Sequence, residues 1–182
     1  GETFYSHNLG LPELREAIAA YTSALHGPLD AGRVAVSSSG VSALMLAMQA
    51  LAGPGDEVVA VVPVWPNLTA QPAILGARVT RVSLKVEGGA WRLDLAALLQ
   101  AVTDQTQVLL VNAPNNPTGW TLSRAEQQTI LGHCRRTGTW VIADEVYERV
   151  YFGASGATAP SCAPSFLDIA EPDDRLIVAH SF

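Results

Sequence analysis

The chain has 182 residues, 48% of them hydrophobic and 15% charged, which suits one well-buried globular domain and leaves too little for two large ones. With a net charge of −6 and no basic cluster denser than Arg135-Arg136, it lacks the grouped positive charge of a nucleic-acid surface, so small molecules are the expected partners. No apolar run approaches the roughly 18 residues of a membrane span, and Gly1-Glu2-Thr3-Phe4 does not resemble a signal peptide.

In chain order, residues 12–25 predict an amphipathic helix with Leu14, Ile18, Tyr21 and Leu25 on one stripe. The apolar triplet 34–36 reads as a first strand. Residues 42–51 carry Leu44, Leu46, Met48 and Leu51 among good helix formers and stop at Ala52-Gly53-Pro54-Gly55. Strands follow over 58–62 and 78–84, the latter ending at Lys85 beside a hairpin-like turn at Glu87-Gly88-Gly89. Asp94 precedes a leucine-rich helix reaching about Ala101, and a further strand covers 108–111. Ser123 and Glu126 have capping-box spacing and open a helix that runs to about Arg136, before Gly138. Strands at 140–143 and 176–179 flank a Gly-, Ala-, Ser- and Pro-rich surface loop over 152–164. Most of these strands are apolar throughout, as a strand covered on both faces requires. The expected class is therefore α/β, three-layered, with a central and mostly parallel sheet.

In such a sheet ligands collect where strands end at their carboxyl side. Ser37-Ser38-Ser39-Gly40-Val41-Ser42 leads into a helix, whose free N–H groups and partial positive charge suit a phosphate; an ordinary serine-glycine helix cap is the plainer reading. Trp65, in Pro63-Val64-Trp65-Pro66-Asn67, is either a half-buried packing residue or a platform for a planar ligand. The stretch from Asn112 to Gly119 (Asn-Ala-Pro-Asn-Asn-Pro-Thr-Gly) could be turn chemistry alone. Asp144, in Asp144-Glu145-Val146-Tyr147, leaves a buried strand and could simply cap the next turn. Cys134 and Cys162 have no metal-ligand spacing and read as reduced thiols of a cytoplasmic protein; His7, His26 and His133 are scattered and read as exposed or capping.

The Asn-Pro-Thr-Gly run resembles the signature of the class I and II aminotransferases of fold type I, enzymes of pyridoxal 5′-phosphate. The other motifs match that family in order. The resemblance implies that Asp144 pairs with the pyridine nitrogen, which keeps the ring protonated as an electron sink. It implies that Tyr147 and Asn116 reach the ring hydroxyl, with Asn116 also on the substrate side, and that Trp65 stacks on the ring. Ser39, Gly40 and Val41 fall on the phosphate loop, although Val41 lacks the hydroxyl some members offer. Tyr5 matches the tyrosine that reaches the phosphate of a neighbouring subunit, so a homodimer with shared active sites is implied. Cis bonds are implied at Val62–Pro63 and Asn116–Pro117, and one antiparallel edge strand in the sheet. Residues 1–26 would form an N-terminal arm and helix, and 27–182 the first part of the cofactor-binding large domain.

In the family Ser181 would touch phosphate, and a lysine three residues further on would hold the cofactor. The single lysine of this chain is Lys85, a solvated strand-end residue by its surroundings, so the chain reads as a piece of a longer protein that stops just before that lysine. The implied reaction is transfer of an amino group from an amino acid to a 2-oxo acid. A carbon–sulfur lyase on the same scaffold is the first rival; such relatives often carry histidine where Tyr147 stands. An aminotransferase-like sensor domain of a transcription regulator would need a basic helix-turn-helix ahead of Gly1. A nicotinamide-binding domain would need a G-x-G-x-x-G after the first strand, which is missing.

Overall fold

Three central strands, buried along most of their length, build a sheet with two greasy faces. The computed structural model describes residues 5–152 and 162–182. Its elements are helix α1 (Pro12–His26), a 3₁₀ turn (Ala31–Arg33), α2 (Gly40–Leu51), β1 (Glu57–Val62), α3 (Pro66–Ile74), β2 (Arg78–Ser83), β3 (Lys85–Glu87), β4 (Ala90–Arg92), α4 (Leu95–Ala101), β5 (Thr106–Asn112), α5 (Arg124–Thr137), β6 (Trp140–Asp144), a second 3₁₀ turn (Phe166–Asp168) and β7 (Leu176–Ala179). Five strands form one sheet in the order β2-β1-β5-β6-β7.

Val58 and Ala60 of β1, Val108 and Leu110 of β5, and Ile142 of β6 pack with Leu44, Met48 and Leu68 from α2 and α3. The intervening residues Val59, Val61, Leu109, Val111, Val141 and Ala143 pack on the other face with Leu98 of α4, Ile130 and Leu131 of α5, and Phe166. That two-sided burial explains why the strands read as continuous apolar runs. It also fixes which side the polar residues at the strand ends occupy: by the two-residue period, Asn112 and Asp144 share the face that carries α2.

Three expectations are corrected. Residues 34–36 are extended but belong to no strand: Val36 donates to the Leu9 carbonyl at 2.9 Å, and no ladder forms. Gly10 makes room for this contact, since a Cβ there would lie 2.7 Å from that of Val36, and its φ of +101° favours glycine as well. The sheet has no antiparallel edge among the described residues, because all four pairings are parallel. Every connection within it carries a helix or a long segment, and the one tight reversal, at Gly88-Gly89 with both φ positive, makes a separate β3–β4 hairpin instead. Finally, α1 buries Ala19, Thr22 and His26 and leaves Leu14 and Tyr21 exposed. Polar anchors turn this helix: Arg15 donates to the carbonyls of Val34 and Ala31 at 2.8 and 2.7 Å, and His26 bonds two carboxylates.

The capping expectations agree with the structure. Ser39 starts α2, Asp94 starts α4, and Ser123 with Glu126 forms a complete capping box on α5, which ends at left-handed Gly138. Lys85 is exposed and pairs with Asp94 at 3.0 Å. Residues 153–161 of the expected surface loop lie outside the described residues. Among the described residues no helix is long and apolar enough to cross a membrane.

Candidate active site

The order of the sheet strands reverses at β1: the chain moves from β1 outward to β2, then returns to place β5 on β1's other side. Such a reversal opens a crevice at the carboxyl ends of the two strands. The residues there are the two motifs following β1 and β5. Asn115, buried, donates from Nδ2 to the Pro63 carbonyl at 3.2 Å and accepts through Oδ1 from the backbone and hydroxyl of Thr118, so it stitches the two loops together. Val62–Pro63 and Asn116–Pro117 are cis, as expected, and so is Ala113–Pro114, which was not.

One strand further along, β5 and β6 pair with Asn112 opposite Asp144. Asp144 is 4% exposed, and burial pushes its carboxyl up to about 6 against a weak opposing bond from the Val146 N–H. No cationic side chain is paired with it among the described residues. A buried carboxylate of this kind is expensive unless something cationic arrives, which makes it a candidate functional group.

The serine loop approaches from the α2 side. Ser39 accepts from the Ser42 N–H, and a Cβ built on Gly40 would sit 3.7 Å from the Cβ of Ser181 and 3.9 Å from Val146 Cγ1. Segments more than 100 residues apart therefore meet at the start of α2, a full-length helix whose free N–H groups face them. Gln71 Nε2 donates to the Val41 carbonyl at 3.1 Å and ties α3 to the same loop. Val41 and Ser181 are exposed, Asn116 is half-buried, and Tyr147 is 40% exposed beside Asp144. Trp65 packs half-buried on the α2-side core. Tyr5 is fully exposed. Thus Ser39, Gly40, Val41, Trp65, Asn116, Asp144, Tyr147 and Ser181 gather at one end of the sheet.

The loop after β6 is held from below by buried charge, which the sequence reading missed. Glu145 accepts from the Ser165 hydroxyl and the Phe166 N–H, and burial pushes its carboxyl up to about 7. Glu148 accepts from His26 Nε2 at 2.8 Å, and His26 Nδ1 meets Asp168 at 2.8 Å. Asp168 in turn takes Arg124 at 2.7 Å. His26 is thus neither exposed nor a cap, because its ring is spent on two carboxylates. Burial keeps His180 below its ordinary value, and its Nε2 has no hydrogen-bond partner among the described residues.

The profile of the family described as aminotransferase class I and II matches residues 1–182. The chain belongs to that family. It is 33% identical over 165 residues to a probable aspartate/prephenate aminotransferase of Aquifex aeolicus, covering 88% of this chain and 41% of that protein. To an aspartate aminotransferase of Streptomyces avermitilis it is 35% identical over 161 residues, 87% of this chain and 39% of the relative. Among solved structures, an Escherichia coli protein described as having a methionine aminotransferase function superimposes with a TM-score of 0.87 at 28% identity, over 98% of this chain and 46% of the other. The chain spans less than half the length of these relatives. Members of this aminotransferase family depend on pyridoxal phosphate. The site fits that group: an orphaned buried carboxylate stands ready for a protonated ring nitrogen, and a helix start with small residues stands ready for a phosphate.

Proposed function

We propose that the intact protein is a cytoplasmic, homodimeric aminotransferase that moves an amino group from an amino acid to a 2-oxo acid, with residues 1–26 as an arm and helix and 27–182 as the first part of its cofactor-binding domain. The observation that carries this reading is Asp144, a buried carboxylate without a cationic partner among the described residues, at the carboxyl end of a central strand. When bound, pyridoxal phosphate supplies an electron sink for the bond broken at the amino acid's Cα. Asp144 holds a proton at the ring nitrogen. Asn116 and Tyr147 direct their polar groups to the ring hydroxyl, with Asn116 also facing the substrate. Trp65 covers one face of the ring and keeps water off it. The N–H groups at Ser39, Gly40 and Val41 and the Ser181 hydroxyl bind the phosphate. In the family's pattern a lysine three residues after Ser181 would hold the cofactor and would carry the proton.

The test is direct. Full-length protein mixed with pyridoxal phosphate should turn yellow, and with an amino donor and a 2-oxo acid it should convert one into the other's amino form. A colourless protein that exchanges no amino group would end the reading. Release of ammonia or sulfide from the donor, without transfer, would favour an eliminating enzyme.

Tyr5 supports the dimer: a fully exposed tyrosine ahead of α1 is free to reach a second subunit. Tyr5→Phe should weaken cofactor binding by about 1.5–3 kcal/mol, the value of a hydrogen bond to a charged group. In a mixed dimer that pairs a Tyr5→Phe subunit with one lacking the cofactor lysine, a contact made across the interface leaves one site with both defects and the other with neither. Half of the sites should then work normally; no normal site at all would mean that Tyr5 serves its own subunit.

A further inference from the structure

We propose that Asn112 is a positioning residue that locks Asn116 and Asp144 into a fixed relation, an inference that rests on reading those two as cofactor contacts. Asn112 is the last residue of β5, 2% exposed, and directly opposite Asp144 in the ladder. Its Nδ2 donates to the Asp144 carbonyl at 3.0 Å, and its Oδ1 accepts from the Asn116 N–H at 2.7 Å. Because a backbone N–H can only donate and a carbonyl can only accept, the orientation of this amide is fixed by its partners.

The consequence for Asp144 is geometric. Its carbonyl receives a second donor, the Ala113 N–H at 3.1 Å, so both lone pairs are filled and the peptide plane after Asp144 cannot swing. The consequence for Asn116 is that the loop after β5 curls back on the strand from which it came. The same side chain therefore sets where the ring nitrogen's partner and the ring hydroxyl's partner stand relative to each other. Few other residues serve. Aspartate keeps the acceptor, loses the donor and brings a second carboxylate toward Asp144. Leucine keeps the branched shape and leaves the half-buried Asn116 N–H without its acceptor. Glutamine is one methylene too long for a packed strand end. Asn115 does a related job toward the Pro63 loop, but it touches neither cofactor contact by side chain.

A purely structural asparagine would lower stability when replaced and leave the cofactor's chemistry alone, so the experiment reads the cofactor. In full-length protein, Asn112→Leu should weaken pyridoxal phosphate binding about tenfold, measured by equilibrium dialysis, as expected when a part-buried donor loses its acceptor. It should also move the pH midpoint of the cofactor's visible absorption. In an Asn116→Ala background much of that added loss should vanish: the backbone N–H that Asn112 accepts from is still there, but the side chain whose position it sets is gone. Asn112→Asp, which keeps shape and acceptor, serves if the leucine variant does not fold, and it should shift the same pH midpoint. Variants with wild-type affinity and an unmoved midpoint, whatever their melting temperature, would overturn the role of Asn112 alone. Wild-type protein that took up no pyridoxal phosphate would overturn the reading beneath it as well.

Discussion

Asp144→Asn is expected to lower turnover by roughly 10²–10³-fold, the usual cost of removing one preorganised electrostatic contact at a reacting centre, while making the cofactor-free protein more stable. The second effect follows from burial, which pushes the carboxyl from an ordinary 3.8 up to about 6. An acid whose folded pKa is raised is penalised for ionising: the penalty is absent below about pH 4, grows as pH rises to 6, and is complete above. At roughly 1.4 kcal/mol per pKa unit, ionised Asp144 costs the cofactor-free fold about 3 kcal/mol near neutrality. The amide has the same shape and no charge. Urea titrations of the cofactor-free form should show the Asp144→Asn variant gaining stability over wild type at pH 7 and nothing at pH 3.5, alongside a turnover assay of the loaded enzyme. Unchanged turnover would contradict the catalytic role; a loss of stability at pH 7 would contradict the account of burial.

His26→Leu is expected to destabilise the fold by about 3–5 kcal/mol, since it strands the buried Glu148 carboxylate and takes one partner from the part-buried Asp168. Among the described residues Glu148 would keep the Tyr21 hydroxyl at 3.4 Å and a more distant His180 at 3.8 Å, and Asp168 would keep Arg124. Burial by itself lowers the histidine's pKa, but the bonds to Glu148 and Asp168 outweigh it, so the value is raised. Burial likewise pushes Glu148 up, and His26, His180 and Tyr21 together bring it below its ordinary value. The histidine's contribution is complete below 6.5 and lost as pH rises through its raised folded value. The glutamate's is complete above 4.5 and lost as pH falls through its depressed one. The gap in unfolding free energy between wild type and His26→Leu should therefore be widest between pH 4.5 and 6.5 and should narrow above it. A gap that widened steadily toward alkaline pH would mean that the ring is held neutral.

The parts of this fold that were legible in the sequence are those where local chemistry and tertiary contact agree. Apolar runs became the two-faced strands, and Ser39, Asp94 and Ser123 became the helix starts their hydroxyls and carboxylate favour. Where the two disagree, the tertiary contact decided. Val34 and Val36 have strand propensity, but among the described residues Val34 bonds the Ala31 carbonyl and the Arg15 side chain and Val36 bonds only the Leu9 carbonyl, so no ladder formed. Helix α3 was hidden because Pro66 and Pro72 both discourage helices, yet Pro66 occupies the first turn, where no N–H is needed, and the helix is only nine residues long. The site motifs were readable because strand ends gather ligands. Their supports were not, because His26 and Glu148 are 122 residues apart and nothing local marks a histidine as a counter-ion. Asn112 carried a usable signal: like Asp144, it is a polar residue closing an otherwise apolar strand.

The matched ends of β5 and β6 also bear on how the sheet finds its alignment. Val141, Ile142 and Ala143 are apolar and would be content on either face, so hydrophobic burial gives β6 little reason to prefer one pairing over a neighbour shifted by one residue. Asp144 breaks that degeneracy. A one-residue slip would rotate its carboxylate into the cluster under α4 and α5, a hydrocarbon interior built from Leu98, Ile130 and Leu131. The costly ion at the end of the strand thus acts as a stop that rejects the misaligned sheet.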